Sequence, residues 1–175
     1  MHYLNKYFKS ILVYDLLNKF NYTNIKKFPE ITKVILILNT KEYNLKALIS
    51  SLFCLELVSK KKSALVFSKQ NNIKINIKKG NPIGCKVTLR NNSMHLFIAK
   101  LTRLHKINLS RPLKNYNNLS FNIKSSYIFP VIEKYYYHFR NIYSLNVIIV
   151  SNTKTQKEFS YLLNSYKFLV NKKQK

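Results

Sequence analysis

The chain has 175 residues and a formal net charge of +25, from 31 Lys and Arg against 6 Asp and Glu. Self-repulsion on that scale disfavours a compact monomer, so a polyanion belongs to the stable state; nucleic acid leads, because each neutralised phosphate releases counterions, and an anionic membrane surface is the alternative. A hydrophobic content of 46% excludes a disordered basic tail, and no apolar run approaches the roughly 20 residues that span a bilayer.

One domain is the default at this length. Lys greatly outnumbers Arg, and Asn, Ile, Tyr and Phe are abundant while Gly and Ala are scarce. Those residues have A/T-rich codons, which points to an A/T-rich genome such as an organelle's.

In chain order, residues 4–20 place Leu4, Phe8, Ile11, Leu12 and Leu16 on one helical stripe. A basic amphipathic N-terminus also fits a transit peptide, but this one has no Arg, so a helix of the mature protein is expected. Ile31 to Leu38 reads as a buried strand. Asn39-Thr40-Lys41-Glu42 has the form of a capping box. It should open a helix with Leu45, Leu48, Ile49, Leu52, Phe53 and Glu56 on its stripe. Lys60-Lys61-Lys62 ends that helix, either as a solvated terminus that complements the dipole or as a nucleic-acid contact.

Ala64 to Ser68 is a short strand, and Ile73 to Lys78 alternates strictly, predicting another with Lys74, Asn76 and Lys78 on its outer face. The chain's two glycines follow, at Gly80 and Gly84, around Asn81-Pro82-Ile83. In so glycine-poor a chain they imply positive φ or a close approach. Ile83, Cys85, Val87 and Leu89 then alternate with Gly84, Lys86, Thr88 and Arg90. This is a strand with an apolar back and a cationic, hydrogen-bonding front. That front either meets water or, with Lys74, Asn76 and Lys78 beside it, supplies the donors that phosphate and ribose contacts need.

Asn91-Asn92-Ser93 offers N-caps for a helix bearing Met94, Phe97, Ile98, Leu101 and Leu104, with Lys100, Arg103 and Lys106 opposite. Ser110-Arg111-Pro112 should begin an Asn-rich loop. Phe121, Ile123, Tyr127 and Phe129 suggest a strand ended by Pro130. The run Lys134 to Arg140 is aromatic and basic together, suited to stacking on bases or to covering the sheet edge. Leu145 to Val150 reads as a buried strand. Thr155-Gln156-Lys157-Glu158 is a capping box for a last helix with Phe159, Leu162, Leu163 and Tyr166 inward, and Lys172-Lys173-Gln174-Lys175 is a basic tail. The expected class is α+β: one domain with a mainly antiparallel sheet, helices packed on one side, and an N-terminal helix.

Catalytic signals are missing. The acids Asp15, Glu30, Glu42, Glu56, Glu133 and Glu158 are spread over separate elements, and Glu42 and Glu158 serve as caps. No phosphate-loop, dinucleotide or nucleophile-elbow motif occurs. His2, His95, His105 and His138 are scattered, and Cys54 and Cys85 are lone thiols in apolar patterns, so neither a metal nor a cofactor is expected.

Lys79-Gly80-Asn81-Pro82-Ile83-Gly84-Cys85-Lys86-Val87-Thr88-Leu89-Arg90, followed by Met94 on a helix, closely resembles the signature of the bacterial-type large-subunit ribosomal protein L5 family. Further anchors stand in family order at Phe20-Asn21-Tyr22, Pro29, Ile128-Phe129-Pro130 and Asn152-Thr153-Lys154-Thr155. The resemblance implies a non-catalytic protein of the central protuberance that binds 5S rRNA and neighbours other large-subunit proteins. It implies an rRNA face at Lys86, Thr88 and Arg90 with Lys61. It also implies a loop at about Lys69 to Gly80 that contacts peptidyl-site tRNA, with Asn71, Asn72, Lys74, Asn76, Lys78 and Lys79 as contacts. A bridge to small-subunit protein S13 would use Lys134, His138, Arg140 and Asn141.

The chain departs from the family at Ile37, where Asn is common, near Lys61, where Gln is, and near Ile75, where Phe is. The family's Arg-Asp-Phe-Arg-Gly segment is not preserved around Arg111 to Asn115, and the segment before Ile128 is shortened. These departures point to a diverged organellar ribosome whose 5S rRNA is altered or replaced by other rRNA or protein. The expected compartment is the mitochondrion, with the plastid as alternative. Residues 1–175 would form one domain, with 1–28 as helix and connection and 171–175 as the tail. The other functional readings are an RNA-processing or maturation factor on the same sheet, and a basic membrane-surface protein.

Overall fold

Period-two alternation gives the strands and four-residue stripes give the helices, with local exceptions that have physical causes. The computed structural model describes residues 3–22, 24, 27–39, 44–73, 77–103, 110–115, 117–124, 126–139, 142, 144–166 and 168. Along the chain these are α1 (Tyr3–Tyr7), a π-helical turn (Phe8–Leu12), α2 (Val13–Phe20), β1 (Ile31–Asn39), α3 (Leu45–Ser59), β2 (Ala64–Phe67) and β3 (Pro82–Leu89). Then come α4 (Asn91–Arg103), β4 (Ser110–Lys114), β5 (Asn118–Ile123), a 3-10 turn (Ser126–Ile128), α5 (Pro130–Glu133), α6 (Tyr136–Phe139), β6 (Leu145–Ser151) and α7 (Gln156–Ser165). The strands form one sheet in the order β2-β3-β1-β6-β5-β4. The fold is α+β, mainly antiparallel, with helices on one side of the sheet. Contacts divide the chain into two compact units.

The first unit comprises Met1–Val34, Arg90–Phe121 and Ile148–Lys175. Its N-terminal helix buries Leu12 and Leu16 but leaves Ile11 exposed, contrary to the stripe read from sequence. The π-turn explains this. A wider turn offsets the angular drift of a strict four-residue spacing, so Leu4, Phe8, Leu12 and Leu16 stay in line while Ile11 swings outward. Asn21 ends α2 in the left-handed region (φ 47°), its N–H donating to Leu17 O at 3.0 Å. The rings of Tyr22 and Phe28 meet edge to face at 5.3 Å. Asn152 grips the chain around Pro29: its Oδ1 accepts from Glu30 N at 2.7 Å and its Nδ2 donates to Phe28 O at 3.0 Å. The sequence anchors at Asn21, Pro29 and Asn152 are thus turn chemistry. On α4 the expected stripe holds, with Met94, Phe97, Ile98 and Leu101 buried, while Leu104 and Lys106 lie outside the described residues. At α7 the capping box is present as read: Glu158 N donates to Thr155 Oγ1 at 3.3 Å, and Thr155 N to Glu158 Oε2 at 3.2 Å. Phe159, Leu162, Leu163 and Tyr166 are buried.

One expected loop is a strand. Ser110–Lys114 forms β4, last in the sheet order, and turns into β5 through Asn115 N–H to Asn118 O at 3.0 Å. Pro112 had argued against a strand, but a residue that cannot donate is tolerated on an edge.

The second unit comprises Ile35–Leu89 and Asn122–Val147. Here β2 pairs antiparallel with β3, Ala64 opposite Lys86, Leu65 opposite Cys85 and Val66 opposite Gly84, with a bulge before Phe67 opposite Pro82. Helix α3 packs on β3. It starts at Asn44, whose side chain accepts from Lys46 N at 3.0 Å; Thr40 to Glu42, expected to form the cap, lie outside the described residues. The inward face is Leu48, Ser51, Cys54, Leu55 and Val58, whereas Leu45, Ile49 and Phe53, expected inward, are exposed. Of Ile73 to Lys78, expected as a strand, residues 74–76 lie outside the described residues; Ile77 makes an isolated bridge with Asn72, and Ile73 is 90% exposed. Two further readings change. Strand β5 stops at Ile123, so Tyr127 and Phe129 lie beyond it. Pro130 begins a helix at its first turn, where a missing N–H costs nothing.

The two glycines answer different demands. Gly80 has φ +89° and open space around a would-be Cβ. At Gly84 an added Cβ would meet Leu38 O at 2.6 Å and Asn39 Oδ1 at 2.9 Å, because β1 passes so close to β3. In urea unfolding, Gly84→Ala should therefore lose about 1–3 kcal/mol by overpacking, and Gly84→Asn more. Gly80→Ala should lose about 1 kcal/mol, largely recovered in Gly80→Asn, since Asn tolerates the left-handed region. Equal tolerance of Asn at both positions would contradict this division.

Candidate nucleic-acid interface

Strand β3 presents its front because its back is held. Cys85, Val87 and Leu89 are buried. Ser51 of α3 donates to Leu48 O at 2.8 Å and lies 3.2 Å from Cys85 Sγ. The alternate residues Lys86 and Thr88 are exposed, as is Arg90 just past the strand. Arg90 belongs to the first unit, and Asn91 at the head of α4 takes a left-handed φ of 52°. Lys86 faces the small Ala64 across the ladder, so its ammonium is not crowded. The amine of Lys86 and the hydroxyl of Thr88 are donors for phosphate and sugar oxygens.

Lys61 reaches the same neighbourhood through the turn after α3. Lys60 caps that helix with φ 55° and donates N–H to Glu56 O at 2.7 Å. The Glu56 carboxylate accepts from Ser63 N at 3.0 Å and Ser63 Oγ at 3.2 Å, and Ser59 Oγ accepts from Lys61 N at 3.2 Å. Glu56, read from sequence as part of an apolar stripe, is the anchor of this turn. Because β2 runs antiparallel to β3 from Ala64 opposite Lys86, residues before Ala64 head toward the Thr88 end of the strand. Lys61 and Thr88 are thereby brought to one end, both exposed.

The β2–β3 connection is a two-legged loop. Ser68 N donates to Asn81 O at 2.9 Å, Gly80 N to Ser68 O at 3.0 Å, and Asn72 and Ile77 exchange N–H to O bonds of 2.8 and 3.0 Å. Asn71 Oδ1 accepts from Lys79 N at 2.7 Å, so this candidate contact residue also ties the legs together. Asn72, Lys78 and Lys79 are exposed, as are Phe67 and Ile73. Lys74 and Asn76 lie outside the described residues. The exposure of Ile73 differs from the inner face that strict alternation suggested, and Phe67 reads from sequence only as part of a short strand.

On α5 and α6, Lys134 and His138 are exposed, and Arg140 and Asn141 lie outside the described residues. Of the rings here Tyr137 is 93% exposed, Tyr135 and Tyr136 are about half exposed, and Phe139 is buried. The Tyr127 ring meets that of Tyr136 at 4.9 Å, tilted by 43°, and its hydroxyl donates to Phe139 O at 2.8 Å, which fixes the turn. Among the described residues no group of three or more His, Cys, Asp or Glu side chains could hold a metal ion, and no helix is long and apolar enough to cross a membrane.

Residues 82–170 match the family model that describes the C-terminus of the ribosomal L5 family. Over 99% of its length the chain is 35% identical to large ribosomal subunit protein uL5m of Reclinomonas americana, covering 100% of that protein. It is 33% identical to uL5 of Wigglesworthia glossinidia brevipalpis over 94% of this chain and 97% of that one. Against uL5 of Clostridium acetobutylicum the identity is 32%, over 90% and 91%.

Neither thiol behind the basic front is a nucleophile at neutral pH. Burial pushes Cys54 up to about 12. Burial also raises Cys85, against a smaller lowering by the Ser51 hydrogen bond. A folded-state value raised above the unfolded one stabilises below the unfolded value and is lost as pH climbs to the folded one. The urea midpoint should therefore fall between pH 9 and about 12, less steeply in Cys54→Ala. Iodoacetamide should label both thiols only on unfolding.

Proposed function

We propose that this chain, which belongs to the ribosomal L5 family and is a structural, non-catalytic protein of the large ribosomal subunit, holds rRNA against the outward face of β3. The observation that carries this is the row Lys86, Thr88 and Arg90: exposed on alternate positions of a backbone whose other side is buried. Lys61, at the Thr88 end, extends the row. Phosphate contacts of this kind position an RNA without reading its sequence, which suits a protein whose RNA partner has diverged. The partner is 5S rRNA, or the rRNA or protein that takes its place. Ile37 on β1 has no hydrogen-bonding group at a position where the family commonly has Asn, so recognition at that point is by packing.

In this reading residues 1–175 act as one domain. The β2–β3 loop, through Asn72, Lys74, Asn76, Lys78 and Lys79 with Asn71 bracing it, touches peptidyl-site tRNA. Lys134, His138, Arg140 and Asn141 face small-subunit protein S13. The ribosome is mitochondrial, a reading supported by the similarity to uL5m; the bacterial relatives leave the plastid as the alternative. Neighbours include other large-subunit proteins.

Sucrose-gradient fractionation of purified organelles tests the assignment. The chain should co-sediment with the large subunit and be released by nuclease; its absence from that fraction would sink the reading. In filter-binding titrations with the subunit's rRNA, Lys86→Ala and Arg90→Ala should each weaken binding. Each should also lower the slope of log K against log salt by about 0.7–0.9 for every phosphate no longer neutralised. An unchanged slope would remove that residue from the interface.

A further inference from the structure

Glu56 stands where two electrostatic effects oppose a carboxylate. It lies in the last turn of α3, the end of a helix that favours cations. It also precedes the turn of Lys60, Lys61 and Lys62, and a negative charge there repels the phosphates that those lysines attract. Between Glu42 and Glu133 it is the one acid in the sequence. What the carboxylate does in return is geometric. Its Oε1 accepts from Ser63 N at 3.0 Å and from Ser63 Oγ at 3.2 Å. Ser63 immediately precedes Ala64, which pairs with Lys86, so these bonds fix the point where the turn joins the sheet. The helix side is fixed as well. Lys60, left-handed at φ 55°, donates to Glu56 O at 2.7 Å. The hydroxyl of buried Ser59 accepts from Lys61 N and donates to Lys61 O, each at 3.2 Å. The Lys61 backbone is thus held between two anchored ends while its side chain stays exposed.

We propose that Glu56 is a positioning residue for RNA binding: its carboxylate sets the turn so that the Lys61 ammonium meets a phosphate at the Thr88 end of β3. The role rests on the rRNA contact proposed above and adds the residue that arranges it. An ammonium on a turn already fixed meets its phosphate without ordering that turn at the moment of binding. The opposing term is small, because the repulsion from a single carboxylate at a solvated surface is screened by salt. Geometry therefore outweighs charge at this position, and the sign of the effect is open to measurement.

The test is a filter-binding titration of the full-length chain against the subunit's rRNA, with the urea midpoint of each variant measured alongside. Lys61→Ala should weaken binding at least about threefold and lower the slope of log K against log salt by about 0.7–0.9. Glu56→Ala should weaken it by a similar factor although it makes the chain more positive, the reverse of what charge alone dictates. Glu56→Gln, which keeps an acceptor oxygen of the same reach, should bind at least as tightly as the unaltered chain. In the Lys61→Ala background Glu56→Ala should cause no further loss, because both act through one contact. Ser63→Ala, which removes only the hydroxyl bond, should give a smaller loss that also vanishes in that background, and it carries the comparison where Glu56→Ala does not fold. Four results would overturn the proposal: Glu56→Ala binding as tightly as the unaltered chain, Glu56→Gln binding as weakly as Glu56→Ala, a loss that persists in full without Lys61, or Lys61→Ala without effect. If Lys86→Ala and Arg90→Ala weaken binding while Glu56→Ala does not, the positioning role fails and the proposed function stands. If only the coupled changes at Lys61 and Glu56 act, the positioning role stands and the row on β3 fails.

Discussion

The closest constraint in the fold is the passage of β1 across Gly84. With Leu38 O where a side chain would begin, only hydrogen fits, and the outward display of β3 depends on it. A strand seated this tightly against one neighbour, and paired through Ala64, Leu65 and Val66 to the other, cannot slip by a residue without exchanging its faces. Cys85 and Val87 would then meet solvent and Lys86 and Thr88 the core. Gly80 and Pro82 set where the strand begins, Ser51 and Leu48 of α3 hold its back, and the cationic front follows from those fixings.

Local and tertiary demands agree where the sequence was legible. The capping box at Thr155 and Glu158, the stripe of α4 and the alternation of β3 each have a short-range cause that the packed structure reinforces. Legibility failed where the deciding fact was a neighbour. Pro112 forbids a central strand but not an edge one, and edge status is a property of the sheet. In α3 both sides are apolar, so periodicity could not say which faced in. The site divides in the same way. Lys86, Thr88 and Arg90 could be read from pattern, but the bracing role of Asn71 and the anchoring role of Glu56 emerge only from hydrogen bonds across seven or eight residues.

Two of the six acids are engaged by backbone amides: Glu158 accepts from Lys154 N and Thr155 N just ahead of α7, and Glu56 accepts from Ser63 N. The fold therefore keeps its positive charge available and relies on an external polyanion, or on salt, to relieve the repulsion.

The edges of the sheet have a consequence for the time before any such partner arrives. Chains rich in Ile, Asn and Tyr are prone to stack strand on strand, and a newly made ribosomal protein waits, unbound, among copies of itself. Here one edge is β4, where Pro112 withholds a donor, and the other is β2, four residues long and bulged before Phe67. Both are poor templates for an added strand. The same irregularities that hid β4 from a reading of the sequence thus act as a guard against aggregation during the interval between synthesis and assembly.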